Sequence, residues 1–150
     1  MKIRDMAHGE EPTVFALVMH SFDDLVRPDF SENGAAEFIR AARCFVFERP
    51  VGHRLSVAER DGRIVGMIDV RDLSHVCLFF VEPDLRGTGV GRALLGAAIE
   101  SSWPDVERPR TLTVNSSPWA VKVYERLGFA ATGPAGEQNG IRFVPMEKRR

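Results

Sequence analysis

Cysteine is scarce: Cys44 and Cys77 stand alone, without a Cys-x-x-Cys pair, and His8, His20, His53 and His75 show no paired ligand spacing. A disulfide framework is excluded and no metal site is expected, so a reducing cytoplasm is the expected compartment. An excess of one charge is missing too. Lys plus Arg number 20 against 21 for Asp plus Glu, the formal charge is −1, and no basic block interleaves with aromatics. A nucleic-acid footprint is therefore not expected, and the run Lys148-Arg149-Arg150 reads as a solvated tail. The opening residues Met1 to Asp5 carry no apolar signal region, and no stretch approaches the roughly 18 uninterrupted apolar residues of a membrane span. The expected protein is soluble and has no membrane partner. Repeats, low-complexity tracts and composition breaks are also lacking. With 150 residues, 44% of them hydrophobic, one domain over 1–150 can bury a sufficient core without staples.

What is present is an alternation of strand-like and helix-like segments. Residues 2–6 read as a short strand. From Pro12, the residues Val14, Leu17, Val18, Phe22, Leu25 and Val26 recur at helical spacing, which predicts one helix ending before Pro28. Ser31 is an N-cap signal ahead of a second helix with Ala35, Phe38, Ile39 and Ala42 on one face. Leu55 to Glu59, the turn Asp61-Gly62 and Ile64 to Val70 predict a hairpin. Within it Ile64, Ile68 and Val70 are expected on one face, and Val65 and Met67 on the other. Val76 to Val81 is a second strand with apolar residues on both sides. Val90 to Ile99 reads as a helix bounded by Pro104. Thr111 to Val114 reads as a strand, and Ser116 to Leu127 as a helix stopped by Gly128. Phe129 to Thr132 and Ile141 to Met146 close the chain as strands. This order predicts an α+β fold with a mixed sheet.

The most informative segment is Leu85-Arg86-Gly87-Thr88-Gly89-Val90-Gly91-Arg92, set between an apolar strand and an amphipathic helix. Its glycines let backbone amides converge on a ligand, backed by the positive end of the following helix, which suits a pyrophosphate. Spacing excludes two other phosphate motifs. A Gly-x-Gly-x-x-Gly fingerprint finds Arg92 or Leu94 at its last position, and a nucleotide-hydrolysis loop finds Ala97 and Ala98 where Lys and Ser or Thr are required.

What fits is Arg/Gln-x-x-Gly-x-Gly/Ala, carried by Arg86, Gly89 and Gly91, and here the sequence resembles the GCN5-related N-acetyltransferase (GNAT) family. The preceding run, Leu78 to Asp84, is similar to that family's fourth strand. The stretch Val114-Asn115-Ser116-Ser117-Pro118-Trp119 through Tyr124-Glu125-Arg126-Leu127-Gly128-Phe129 is similar to its second cofactor segment. The similarity is firm over 64–133 and looser elsewhere; the closing run 139–147 resembles an uncharacterised bacterial branch. The resemblance implies a three-layer fold, with a central mixed, mostly antiparallel sheet of about six to seven strands flanked by about four helices.

The resemblance also implies acetyl-CoA as co-substrate. It would be held by Phe79, Phe80 and Val81 along the strand, by Arg86, Gly87, Thr88, Gly89, Val90, Gly91 and Arg92 in the loop, and by Asn115. Asn115 competes with Ser116 and Ser117 for the alternative task of capping the helix. The family places a proton donor to the leaving sulfur where Tyr124 stands, the sole tyrosine of the chain; the alternative is a core tyrosine. The amine must shed a proton, for which His75 is the first candidate base and Asp69 the second. Cys77, among apolar neighbours, reads as packing. The acceptor, a small-molecule or peptide amine, is expected near Phe22, Asp29 and Phe30, with Asp69, Arg142 and Phe143 also facing it, although aromatics at helical spacing often belong to a core. A homodimer fits the same reading. Direct transfer to the amine is the leading expectation, and a non-catalytic acyl-CoA sensor the alternative.

Overall fold

The computed structural model describes residues 1–102 and 111–149; the expected helix stop at Pro104 and the final Arg150 lie outside these. The order is β1 (Lys2–Asp5), α1 (Glu11–Ser21), α2 (Glu32–Phe47), β2 (His53–Arg60), β3 (Arg63–Arg71), β4 (His75–Val81), α3 (Val90–Ser102), β5 (Thr111–Ser116), α4 (Val121–Arg126), β6 (Ala130–Ala131), β7 (Gly136–Gln138) and β8 (Ile141–Arg149). The strands run β1-β2-β3-β4-β5-β8-β6, with β7 paired to β8 off this path. Among the described strands only β4 and β5 pair in parallel, because the crossover through α3 returns the chain in the same direction. The fold has, among the described residues, eight strands and four helices, α+β as expected, and β7 is the strand that the sequence pattern does not signal. Its hairpin with β8 turns at Asn139 and Gly140, both at positive φ. Asp61 and Gly62, likewise at positive φ, make the turn read from sequence between β2 and β3.

Helices pack on both faces of the sheet, on the second at β2–β4. Val90, Leu94, Leu95 and Ala98 of α3 pack on Ala58, Ile68, Val70, Val76, Leu112 and Val114. On the opposite face Val14, Leu17 and Val18 of α1 and Ala42 and Val46 of α2 pack on Leu55, Val57, Met67 and Leu78. A strand covered on both sides needs apolar residues at successive positions, which is why β3 and β4 carry continuous rather than alternating hydrophobicity.

Three expectations need correction. Val65 lies in the α3 layer with Ile68 and Val70, and Ile64 in the other, because a bulge between Ala58 and Glu59 pairs them with Gly66 and Ile64 and leaves Val65 as the extra residue. The first helix does not run regularly to Pro28: after Ser21 it widens into a π turn over Phe22–Val26 and tightens into a 3-10 turn over Arg27–Asp29. The helix expected from Ser116 begins only at Val121. β5 extends through Ser116, and Pro118–Ala120 form a 3-10 turn. No helix among the described residues is long and apolar enough to cross a membrane.

Two helical glycines give opposite predictions. A Cβ on Gly34, in the first turn of α2, would run into the Gly140 carbonyl, whereas one on Gly96, exposed in α3, would meet nothing within 4 Å. Gly34→Ala should destabilise by about 1–3 kcal/mol because a backbone overlap outweighs helix propensity. Gly96→Ala should stabilise by about 0.5–1 kcal/mol. Urea midpoints of the two variants check both signs.

Candidate active site

The site starts with a parting of strands. β4 and β5 are in register at His75 with Thr113 and Val76 with Val114, and no further. Beyond that point β5 keeps its other neighbour, with Asn115 opposite Pro145 and Ser116 opposite Val144, while β4 keeps β3. Among the described residues the edge of β4 from Cys77 to Val81 therefore has no partner strand on the β5 side, and buried main-chain groups of this kind need a partner. Ser21 Oγ donates to the Val81 carbonyl at 3.2 Å, which satisfies one of them. A second bulge marks the place where the strands part: Asp69 faces Leu78 and Val70 faces Val76, leaving Cys77 as the extra residue of β4.

At the far end of this open edge the chain makes a 3-10 turn, Pro83–Leu85, then the glycine loop, then α3. Gly87 and Gly89 adopt φ of 79° and 93°, which a β-branched residue avoids. The first amides of α3 have no intrahelical acceptor by helix geometry, and the helix dipole adds positive potential there. Thr88 Oγ1 closes the turn on the Leu85 carbonyl. Arg86 lies across the loop, its guanidinium 3.8 Å from Asp24 and 5.2 Å from the Trp119 ring centroid. Burial lowers its pKa, with Asp24 and Glu82 opposing, but a guanidinium stays charged at any working pH. Arg92 points elsewhere, donating to the Arg126 carbonyl at 3.0 Å, and so ties α3 to the end of α4.

Phe79 and Val81 point into the α3 layer, and Phe80 into the other. Phe79 meets Tyr124 edge-on at 6.1 Å, and Tyr124 meets Phe129 at 5.3 Å, so β4 and the residue just before β6 hold this one phenol of α4. Burial pushes the Tyr124 pKa above the ordinary phenol value, which keeps its proton in place. Asn115 is exposed on β5, and it does not cap a helix, because the N-cap positions of the turn at Pro118 and of α4 are Ser117 and Ala120. His75 is half-buried, and its Nδ1 lies 2.8 Å from Thr113 Oγ1. That hydroxyl spends its single proton on the Ser74 carbonyl, so it accepts from Nδ1–H and leaves Nε2 as the basic nitrogen. Burial and Arg71 lower the His75 pKa, favouring the neutral ring.

The residues expected around the acceptor divide. Phe22 is fully buried, stacked on Phe38 at 4.3 Å and edge-on to Phe30 at 5.2 Å, so its ring is core and does not line a groove. Phe30 and Asp29 are half-buried beside it, Arg142 is exposed on β8, and Phe143 lies over Gly136. Between α2 and the Asn139-Gly140 turn lies a polar recess of about 790 Å³ lined by Ser31, Asn33, Glu37, Arg40, Asn139 and Gly140. Asp69 is fully buried with its Oδ2 2.7 Å from His53 Nδ1, and so is shut off from any acceptor surface. Sequence reasoning missed His53, Trp119, Asp24 and Thr113. Each gains its place from a partner distant in the chain, and no local spacing signals it.

A family model described as an acetyltransferase (GNAT) domain matches residues 26–150. The peptidyl-lysine N-acetyltransferase YjaB of Escherichia coli is 32% identical over 135 residues, 89% of this chain and 84% of that one. An S-(2-succino)cysteine N-acetyltransferase of Bacillus subtilis is 29% identical over 62% of this chain, and the match spans 64% of that protein's length. Among solved structures, a GCN5-related N-acetyltransferase from Rhodopseudomonas palustris superposes with a TM-score of 0.83 at 23% identity, over 99% of this chain and 95% of the other. The PaiA N-acetyltransferase of Thermoplasma acidophilum, solved with coenzyme A, has a TM-score of 0.75 at 15% identity, over 99% and 98%. With a family model covering most of its length and a sheet that parts between β4 and β5 above a glycine loop, the chain belongs to the GNAT family of N-acetyltransferases.

Proposed function

We propose that the protein is a cytoplasmic acetyl-CoA-dependent enzyme that moves the acetyl group directly to the amine of a small molecule or peptide. The observation that carries this reading is the unpartnered edge of β4 running to the N-terminus of α3. A pantetheine arm with two amides would add to that edge as a strand does, and a diphosphate would meet the amides of 87–91. The names of the relatives, which include a peptidyl-lysine and a modified-cysteine acetyltransferase, support an amine as acceptor without choosing among amines.

In this reading the neutral amine attacks the thioester carbonyl, and its proton passes to His75 Nε2, directly or through a water. An amide of β4 stabilises the oxyanion, and the tetrahedral intermediate collapses by breaking the C–S bond. A thiol titrates near 8.5 and a phenol near 10, with Tyr124 higher still. Full proton transfer from phenol to thiolate is therefore uphill, and Tyr124 acts mainly by hydrogen-bonding the departing sulfur.

Calorimetry with CoA and acetyl-CoA, followed by thiol release against an amine panel, tests the whole reading; a folded protein without affinity for either ligand rejects it. Tyr124→Phe should lower kcat about 10²-fold while leaving CoA affinity within about twofold. An unchanged kcat removes Tyr124 from the chemistry. His75→Asn keeps a donor for Thr113 but has no base, and should lower kcat/KM by about 10²-fold or more. Thr113→Val, which frees the imidazole to take the other tautomer, should cause a smaller loss. Equal activity of both variants and the parent would exclude His75. At Gly89 an added side chain meets no protein atom within 4 Å, so Gly89→Val should fold yet pull the loop out of its positive φ. A distortion of about 1–2 kcal/mol corresponds to roughly tenfold weaker CoA binding; undiminished binding contradicts the cradle.

A further inference from the structure

On the face of the sheet opposite α3, three chain segments bring together side chains that the transfer reaction does not use. His53 opens β2, Asp69 lies near the end of β3, and Cys77 is the bulged residue of β4. One donor atom from each lies within 4.8 Å of the other two. The His53 side chain is only 5% exposed, and that of Asp69 not at all. Their surroundings are apolar: Asp69 stands opposite Leu55 and Leu78 in the ladder, and the Phe45 ring covers His53 at 4.6 Å.

This cluster leaves one group unsatisfied. Asp69 Oδ2 is 2.7 Å from His53 Nδ1, but Oδ1 is buried with no hydrogen-bond partner, alone in this among the buried side-chain polar atoms of the described residues. A carboxylate oxygen removed from water without a partner carries a desolvation penalty of a few kcal/mol, and such atoms call for an explanation. The nearby cation, Arg71, is exposed and lies 3.8 Å from Asp72, and so does not cancel the buried charge.

We propose that His53, Asp69 and Cys77 form a binding site for a borderline divalent transition metal of the zinc class. An imidazole, a carboxylate and a thiol together match that class and do not suit magnesium or calcium, which take oxygen ligands. Bonds of about 2.0–2.3 Å in tetrahedral geometry put donors roughly 3.3–3.7 Å apart. The cluster reaches this by a short contraction of its widest edge and by opening the His53–Asp69 contact. Asp69 Oδ1 gains its missing partner, and the Cys77 thiol gives its proton to solvent as the metal–sulfur bond forms. Three protein ligands leave a fourth position for water. The site lies beside the sheet end, one residue in from the exposed Gly52, which gives an ion a short way in. The absence of ligand spacing in the sequence does not oppose this, because three adjacent strands supply one ligand each.

The test titrates the chelator-treated 150-residue chain with Co²⁺ and Zn²⁺. Stoichiometric Co²⁺ binding with a thiolate-to-metal charge-transfer band and tetrahedral ligand-field bands is the expected result, together with a Zn²⁺-dependent rise in Tm. Cys77→Ser should abolish the charge-transfer band, and His53→Gln should weaken Co²⁺ binding by about 100-fold or more. Cys44→Ser, on α2, should leave both unchanged. Cys77→Ser changes one atom and guards against a folding artefact, since its Tm without metal can be compared directly with the parent's. Lack of saturable binding, binding without the charge-transfer band, or a band that survives in Cys77→Ser and disappears in Cys44→Ser each overturns the proposal.

Discussion

The site depends on backbone hydrogen bonds that β4 does not make with β5. Two residues of parallel pairing, at His75 and Val76, hold the two strands together at one end. From there each is committed to a different antiparallel neighbour, β3 for one and β8 for the other. Main-chain donors and acceptors along a central strand are thus left for something other than a strand. The opening can exist in a stable domain because each half of the sheet keeps its own antiparallel ladders, with helices packed on one face of both halves and on the other face of β2–β4.

Everything near the gap acts to keep it open and aimed. The bulge at Cys77 twists β4 where the strands part, since an extra residue increases local twist. Phe79, Tyr124 and Phe129 wedge between β4 and α4, and Arg92 pins α3 to the end of that helix. At the other end Arg86 touches both walls, reaching Asp24 on one side and the Trp119 face on the other. These contacts pre-orient the walls, so less ordering remains to be done when a ligand enters.

The face opposite α3 is organised differently. The rings of Phe22, Phe30 and Phe38 pack mutually stacked and edge-on, with Phe38 also edge-on to Phe80 at 6.0 Å, which anchors the irregular turn after α1 to β4. Aromatic pairs of this geometry add about 0.5–1.5 kcal/mol beyond burial. The π turn at Phe22–Val26 places Phe22 inward while leaving Asp23 and Asp24 exposed. The same face holds the His53–Asp69 pair, where burial raises the Asp69 pKa against the pull of His53 and Arg71, and it pushes the Cys77 thiol up to about 12. Polar groups in that environment are set by their partners, not by water.

The sequence by itself determined the order of elements apart from β7, the turn at Asp61-Gly62, the glycine loop at 86–91 and the position of Tyr124, because each is written in residues that are neighbours in the chain. Local spacing also sufficed to reject the nucleotide-binding alternatives. Only the tertiary structure decided which face Val65 joins, since a bulge depends on the partner strand's register. It alone made Phe22 a core ring, gave His75 its basic Nε2 through the Thr113 hydroxyl, and closed Asp69 away against His53. It also brought His53, Asp69 and Cys77 within reach of one another. A residue's chemistry is set by what surrounds it, and here the surroundings come from strands and helices remote in sequence that meet only when the sheet assembles.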